Sequence, residues 1–305
     1  MTGALVIDKP EGMTSHTVVA RVRRAARTRR VGHAGTLDPF ATGVLVVCVG
    51  PATRLMQFLV GLDKEYLATV RLGYATDTQD LTGQQITPLK SSNHVSIDQV
   101  TKMLGEFTGP QSQMPPMFSA KKVAGERLYR AAREGREVER QASRITVYLI
   151  ELKDALDPNE DGTRDFVIRV RCSSGTYVRT LAHDIGARLE VGAHLSALRR
   201  TAVGHFGLEK ALTLDEVERE VGEGGLERAL VSPADALAHL PLVRLDEDRL
   251  KLIANGREVE LPLEEFGSSP SHLPVRLCDE SGGLVAVGDY DSKVERVKPR
   301  VVLAR

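Results

Sequence analysis

The amino-acid sequence predicts an α+β protein with a mostly antiparallel sheet, followed by a small all-β unit. Three observations lead there. Apolar runs of strand length interleave with stretches of helical period, without the regular repeat of a parallel α/β fold. The composition shifts after Ala238, where Pro241, Pro262, Pro270 and Pro274 punctuate short strand candidates. The 305 residues exceed an ordinary domain of ~100–200 residues, so two domains are expected, 1–238 and 242–305.

In chain order, Ala4–Asp8 is a short apolar run closed by Lys9-Pro10 and reads as a strand. Thr14 or Ser15 is placed to cap a helix whose apolar positions Val18, Val19, Val22, Ala25 and Ala26 follow a 3.6-residue period, leaving arginines on the other face. Val44–Val49, continuous and β-branched between Gly43 and Gly50, reads as a buried strand. Ala52–Leu59 follows as a short helix, Tyr66–Leu72 as a strand and Ile97–Phe107 as a helix. Arg127–Arg136 is a basic helix ending near Gly135, and Ile145–Leu152 and Phe166–Cys172 are strands. Tyr177–Leu189 is a helix with Leu181, Ile185 and Leu189 on one face. Beyond Leu242, Val275–Cys278, Leu284–Val287 and Arg300–Leu303 are strand candidates, the first two joined by Ser281-Gly282-Gly283 as a hairpin turn.

With 42% hydrophobic and 27% charged residues the composition is that of a soluble globular protein. Its longest unbroken apolar stretch, Val44 to Val49, falls far short of the ~18 residues a bilayer span needs, so no membrane role is expected. Asp8, Lys9 and Pro10 interrupt the first segment before it could serve as a secretory signal. Cys48, Cys172 and Cys278 are too scattered for a disulfide framework, which suits the cytoplasm. No HExxH and no local cysteine–histidine cluster occurs, so neither a metal nor a cofactor is expected.

The formal charge is zero, but its distribution is uneven. Residues 21–30 hold six arginines and no acid, residues 121–144 hold eight basic residues against four glutamates, and acids collect between Asp215 and Glu227. Such basic runs either are solvated helix faces or bind phosphates.

The segment richest in chemistry runs from Val31 to Gly43, VGHAGTLDPFATG. Its glycines and proline force an irregular loop, where catalytic groups tend to be carried. Pro39 keeps Asp38 out of helical geometry. By itself an Asp-Pro pair is also a common turn element, so the local pattern leaves both roles open.

Several separated motifs narrow the choice. The run GHAGTLDPFATGVL resembles the signature of bacterial tRNA pseudouridine-55 synthases, the TruB family, and Ala4 to Ser15 resembles their opening motif. Lys64-Glu65-Tyr66, the acidic loop Thr76-Asp77-Thr78-x-Asp80 and the thumb-like insertion around Met114 to Lys122 resemble further family motifs in the right order. Cys172 to Leu181 and Leu195-x-x-Leu198-x-Arg200-Thr201 complete the set. Phe118 departs from the tyrosine expected within the insertion.

That resemblance implies a pseudouridine synthase catalytic domain over 1–238, with the insertion at about 110–140, and a PUA-like RNA-binding domain over 242–305. It implies a monomer acting on the T-arm stem-loop of tRNA, isomerising uridine 55 after base flipping. Asp38 would be the catalytic carboxylate, Arg179 its partner, and Tyr66 the active-site tyrosine that stacks on the base. His33, Leu198, Lys9 and Tyr177 would serve substrate binding, with Lys9 and Pro10 also bracing the catalytic loop. A carboxylate suits cleavage of the N1–C1′ bond, because an anion can attack C1′ or stabilise positive charge there. Two other readings stay open: a nucleosidase-like hydrolase, which would release free uracil, and an RNA-binding or tRNA-folding protein without catalysis.

Overall fold

The computed structural model describes residues 1–119, 121–123, 125–136, 138–222, 225–262 and 272–303. The first eleven strands are β1 (Gly3–Lys9), β2 (Val31–His33), β3 (Thr42–Val49), β4 (Lys64–Leu72), β5 (Gly109–Gln113), β6 (Lys122–Val123), β7 (Glu126–Arg127), β8 (Ser143–Ala155), β9 (Arg164–Cys172), β10 (Ala193–Val203) and β11 (Phe206–Gly207). Among the described residues nine of these form one sheet in the order β1-β3-β10-β4-β9-β8-β5, with β2 added to β3 and β11 to β10. Only the β3–β10 pairing is parallel, so the sheet is mixed and mostly antiparallel, as expected.

Burial on both faces explains the unbroken apolar run of β3. Val44, Val46 and Cys48 enter one core cluster with Leu55 and Leu59, while Leu45, Val47 and Val49 enter another with Val18 and Val22. Val18 and Val22 belong to α1 (Ser15–Ala25), whose first turn is capped by the Thr14 hydroxyl accepting from Thr17 N at 3.0 Å. The expected helix Ala52–Leu59 is instead a 3₁₀ segment, Gly50–Leu55, running into a single α-turn, α2 (Met56–Leu59). Pro51 stands in its first turn, where the missing N–H leaves no bond unmade. Strand β4 alternates, sending Tyr66, Ala68, Val70 and Leu72 into a core closed by α3 (Ile97–Glu106). The opposite face of β4 is polar: Arg71 pairs with Asp165 at 2.7 Å and Glu65 with Arg169 at 2.7 Å, across to β9.

Strand β10 lies between β3 and β4 and was not expected as a strand. Its alternation is broken by register shifts between Leu195 and Ala197 and between Arg200 and Ala202, which hide the period-2 signal. The insertion between β5 and β8 carries the β6–β7 hairpin and α4 (Leu128–Arg133), shorter than the Arg127–Arg136 helix expected. Ala120 and the side chain of Lys122, both in the insertion motif, lie outside the described residues. The helix α5 (Val178–Arg188) follows β9, and α6 (Leu214–Gly222) packs beside α1. There Arg21 reaches Asp215 at 3.1 Å and Glu218 at 2.9 Å, so the acids that are distant in sequence neutralise part of the arginine face.

The C-terminal part adds β12 (Leu242–Arg244), β13 (Val259–Glu260), β14 (His272–Cys278), β15 (Leu284–Asp291) and β16 (Arg296–Val302), in the order β12-β14-β15-β16-β13. The turn at Ser281–Gly283 joins β14 and β15, with Gly282 at φ +88°. An eight-residue helix, Glu247–Ala254, capped by Asp246, accompanies the strands, an element the all-β expectation lacked. Pro270 lies outside the described residues. This sheet is not detached: Val287 and Val301 pack with Ala4, Val44 and Val46, and Arg276 donates to Ala234 O at 2.8 Å and Leu240 O at 3.0 Å.

The parallel seam depends on Gly43. It pairs with Arg200 at φ +99°, and a Cβ there would stand 2.2 Å from Arg200 O. Gly43→Ala is therefore expected to cost about 2 kcal/mol or more in chemical denaturation. A loss below ~0.5 kcal/mol would show that the seam has room to relax.

Candidate active site

The loop between β2 and β3 is held from three sides. Ser15 Oγ accepts from Leu37 N at 2.9 Å and donates to Leu37 O at 3.1 Å. Lys9, fully buried, donates to Pro10 O at 2.8 Å, Met13 O at 2.7 Å and Pro39 O at 3.2 Å. Arg200, 1% exposed, donates to Gly35 O at 3.1 Å, Thr36 O at 3.3 Å and Val44 O at 2.7 Å. Ala41 N closes a turn onto Asp38 O at 3.1 Å. Lys9 thus ties the loop, through Pro39 O, to the segment between β1 and α1.

Opposite Asp38 stands Arg179 in the first turn of α5. Its Nε lies 3.0 Å from Asp38 Oδ2 and its Nη1 3.2 Å from Asp80 Oδ2. The remaining bonds go to Thr78 O at 2.9 Å and Phe118 O at 2.8 Å. Position 118 therefore contributes its backbone carbonyl to the network, and a phenylalanine supplies that as well as a tyrosine. Asp80 is itself fastened by Thr78 Oγ1 at 2.8 Å and Thr82 N at 3.0 Å. The Arg179 side chain is 5% exposed and that of Asp80 4%, whereas Asp38 keeps 36% of its side-chain surface open. Only one of the two carboxylates is left available.

Burial raises the pKa of Asp38 above the ordinary aspartate value. Arg179 opposes this most strongly, Lys9 and Arg200 less so, and Asp80 adds to the rise. The result is a partly desolvated carboxylate held in orientation by one cation, a state suited to reacting with an electrophilic carbon.

Asp38 and Arg179 line a cavity of about 420 Å³ together with Tyr66, Tyr177, Leu198, Lys64 and Arg200. A second chamber of about 530 Å³ shares Asp38, Leu37, Ser119 and Arg179 with the first and extends to His16, Phe118 and Tyr129. Tyr66 and Leu198 come from the core faces of adjacent strands, where Tyr66 is opposite Arg200 and Ala68 opposite Leu198. Burial pushes the Tyr66 phenol up, while the adjacent Arg200 guanidinium pulls it the other way. Tyr177 is set at the start of α5 by Gln113, which accepts from its N at 2.8 Å and donates to its O at 3.0 Å.

Of the residues expected at the site, Asp38, Tyr66, Arg179, Tyr177 and Leu198 meet around the first cavity. His33 stands apart at the end of β2, its ring edge-on to His16 at 5.5 Å, with Nδ1 buried and without a hydrogen-bond partner among the described residues. Lys64, Asp80 and Arg200 were given no role from the sequence, although each falls within a quoted motif. Their places within the Lys64-Glu65-Tyr66, Thr76 to Asp80 and Leu195 to Thr201 motifs were the signal available.

Comparison with known proteins identifies the family of the chain. The family model for the N-terminal domain of TruB family pseudouridylate synthases matches residues 23–178, and that for the C-terminal domain of tRNA pseudouridylate synthase B matches 179–238. The tRNA pseudouridine synthase B of Streptomyces coelicolor is 45% identical over 93% of this chain and 92% of its own length. That of Bacillus subtilis is 40% identical over 99% and 98%. A solved H/ACA RNP bound to a substrate RNA containing 2′-deoxyuridine includes a chain 26% identical, with TM-score 0.74, over 99% of this chain and 85% of that one. With a family model over half its length and relatives of this identity over nearly all of it, the chain belongs to the TruB family of pseudouridylate synthases, enzymes that make pseudouridine in tRNA.

Proposed function

We propose that this chain isomerises uridine 55 in the TΨC loop of tRNA, working as a monomer in the cytoplasm, with residues 1–238 carrying catalysis and the PUA-like residues 242–305 adding RNA contacts. The observation that carries the reading is the Asp38 carboxylate 3.0 Å from Arg179 Nε on the wall of a cavity that also holds Tyr66. The target uridine leaves its stack and enters this cavity, a step that costs a few kcal/mol offset by new contacts. There Tyr66 offers its ring as a stacking surface and Leu198 and Tyr177 form part of the wall. Asp38 meets the positive charge that develops at C1′ as the N1–C1′ bond breaks, and Arg179 keeps its carboxylate ionised. The uracil turns, C5 bonds to C1′, and the proton lost from C5 is balanced by one gained at N1. Because the detached base is its own returning nucleophile, one carboxylate suffices and no water needs activation.

The arginines of the α1 region fit a phosphate-binding role unequally. Arg21 is occupied by Asp215 and Glu218, while Arg24, Arg27, Arg29 and Arg30 are exposed and make no ion pair among the described residues.

The reading is tested with unmodified tRNA and pseudouridine mapping at single-nucleotide resolution. Asp38→Asn is expected to abolish product under single-turnover conditions while tRNA affinity persists. A rate within about tenfold of wild type, under ~1.4 kcal/mol of barrier, would sink the assignment. Release of free uracil by the wild type would favour the hydrolase instead. A carboxyl whose pKa is higher in the folded than in the unfolded state costs stability above that pKa, and protonation relieves the cost. Asp38→Asn is therefore expected not to lower the melting temperature at neutral pH.

The same shift sets a pH dependence. Since the reactive form is the carboxylate, the single-turnover rate should fall as pH drops through a midpoint above the ordinary aspartate value, and level off above it. A profile flat down to that ordinary value would contradict the role.

For RNA binding, the triple change Arg27→Gln, Arg29→Gln and Arg30→Gln is expected to flatten the slope of log affinity against log salt by about 2–3. Arg21→Gln should leave it nearly unchanged. Equal effects of the two would show that the ion pairs of Arg21 open on binding.

A further inference from the structure

The cavity is electrically lopsided. At one end Asp38 pairs with the Arg179 guanidinium, which also holds Asp80 outside this cavity. Farther along the wall stand Lys64, 7% exposed, and Arg200, 1% exposed. Lys64 Nζ donates to Val60 O and Leu62 O, both at 2.6 Å, leaving one of its three N–H groups unused by the protein. The hydrogen bonds of Arg200 to Gly35, Thr36 and Val44 also end on main-chain carbonyls. Among the described residues neither cation makes an ion pair. They also converge: a Cβ placed on Gly35 would lie 3.8 Å from Arg200 Nη1 and 4.0 Å from Lys64 Cε.

Two buried cations without a carboxylate between them are costly, because each loses hydration and repels the other. The strain is visible on Lys64, whose pKa is pushed down to about 8, first by burial and next by Arg200. Asp63 and Cys172 act weakly in the opposite sense. An arrangement of this kind is stabilised when an anion enters the cavity.

We infer that Lys64, with Arg200 behind it, is a catalytic residue that holds the negative charge of the detached uracil. This rests on the isomerase reading above. When the N1–C1′ bond breaks, its electron pair leaves on N1 and spreads to O2 and O4, while C1′ becomes electron-poor. Asp38 answers the positive fragment and the free N–H of Lys64 answers the negative one. The separation is kept until the ring turns and C5 returns the pair to C1′. The C5 proton then leaves and N1 is protonated, so that the charge at Lys64 is discharged in the product. Fixed donors aimed at charge that appears only in the transition state and intermediate accelerate the step without tightening substrate binding.

Lys64→Met keeps the apolar stem and removes the charge. The single-turnover rate is expected to fall at least about 100-fold, the scale of removing one such donor, while tRNA affinity stays within about threefold. A rate within tenfold of wild type would overturn the proposal. Because the variant could lose packing, a second measurement uses ligand charge. The wild-type protein should bind 5-nitrouracil, an anion at neutral pH, at least about tenfold more tightly than neutral uracil, the scale expected of a charge-assisted contact. Equal affinities, or no measurable binding of the anion, would likewise overturn it. Absence of pseudouridine from wild-type reactions would instead remove the isomerase reading itself, whereas an active wild type with an active Lys64→Met sinks only the role of Lys64.

Discussion

The arginine that bridges Asp38 and Asp80 is the constraint on which the site depends. Carried on helix α5, its guanidinium has partners on three further segments: the β2–β3 loop, the Thr78–Asp80 loop and the insertion at Phe118. No one of these is adjacent in sequence to the next. Two carboxylates around one buried cation leave a net negative charge, which the fold tolerates because Asp80 is also satisfied by Thr78 and Thr82. The geometry thereby assigns the two acids different fates. Asp80 is sealed and structural in its bonding, while Asp38 keeps an open side toward the cavity.

Rigidity behind the loop comes from cations bonded to carbonyls. Lys9, Lys64 and Arg200 each lie within the protein and direct their donors at main-chain oxygens, and those of Lys9 and Arg200 belong partly to the catalytic loop. A loop of glycines and a proline would otherwise fluctuate, and a misplacement of about 1 Å at a reacting carbon is expensive in rate. The single parallel seam of the sheet serves the same end. It brings the arginine-bearing strand β10 beside β3, so that Arg200 spans from the sheet interior to Gly35.

Charge on the outside follows a different logic. The chain is neutral overall, yet packing α6 against α1 cancels one arginine and leaves its neighbours exposed. Local basic character is therefore set by which acids the fold brings near, and net charge is a poor guide to it.

The α+β class, the strand β3, the capped helix α1 and five of the residues that line the cavity were legible in the order of amino acids alone. Each rests on a local signal: a continuous β-branched run between glycines, a hydroxyl before an amphipathic period, or a motif whose residues are contiguous. Asp38, Tyr66, Arg179, Tyr177 and Leu198 were legible because their motifs could be matched, although an Asp-Pro pair alone could not tell a turn from a reactive carboxylate. That β10 is a central strand emerges only on folding, since two register shifts erase its alternation. The same holds for the C-terminal helix Glu247–Ala254 and the shortened α4. Only folding, too, set Asp80 against Arg179, put Phe118 to use through its carbonyl, and gathered Lys64 and Arg200 into one cationic wall. Those relations join residues far apart in the chain, and their energies arise from desolvation and distance, which exist only once the segments have met.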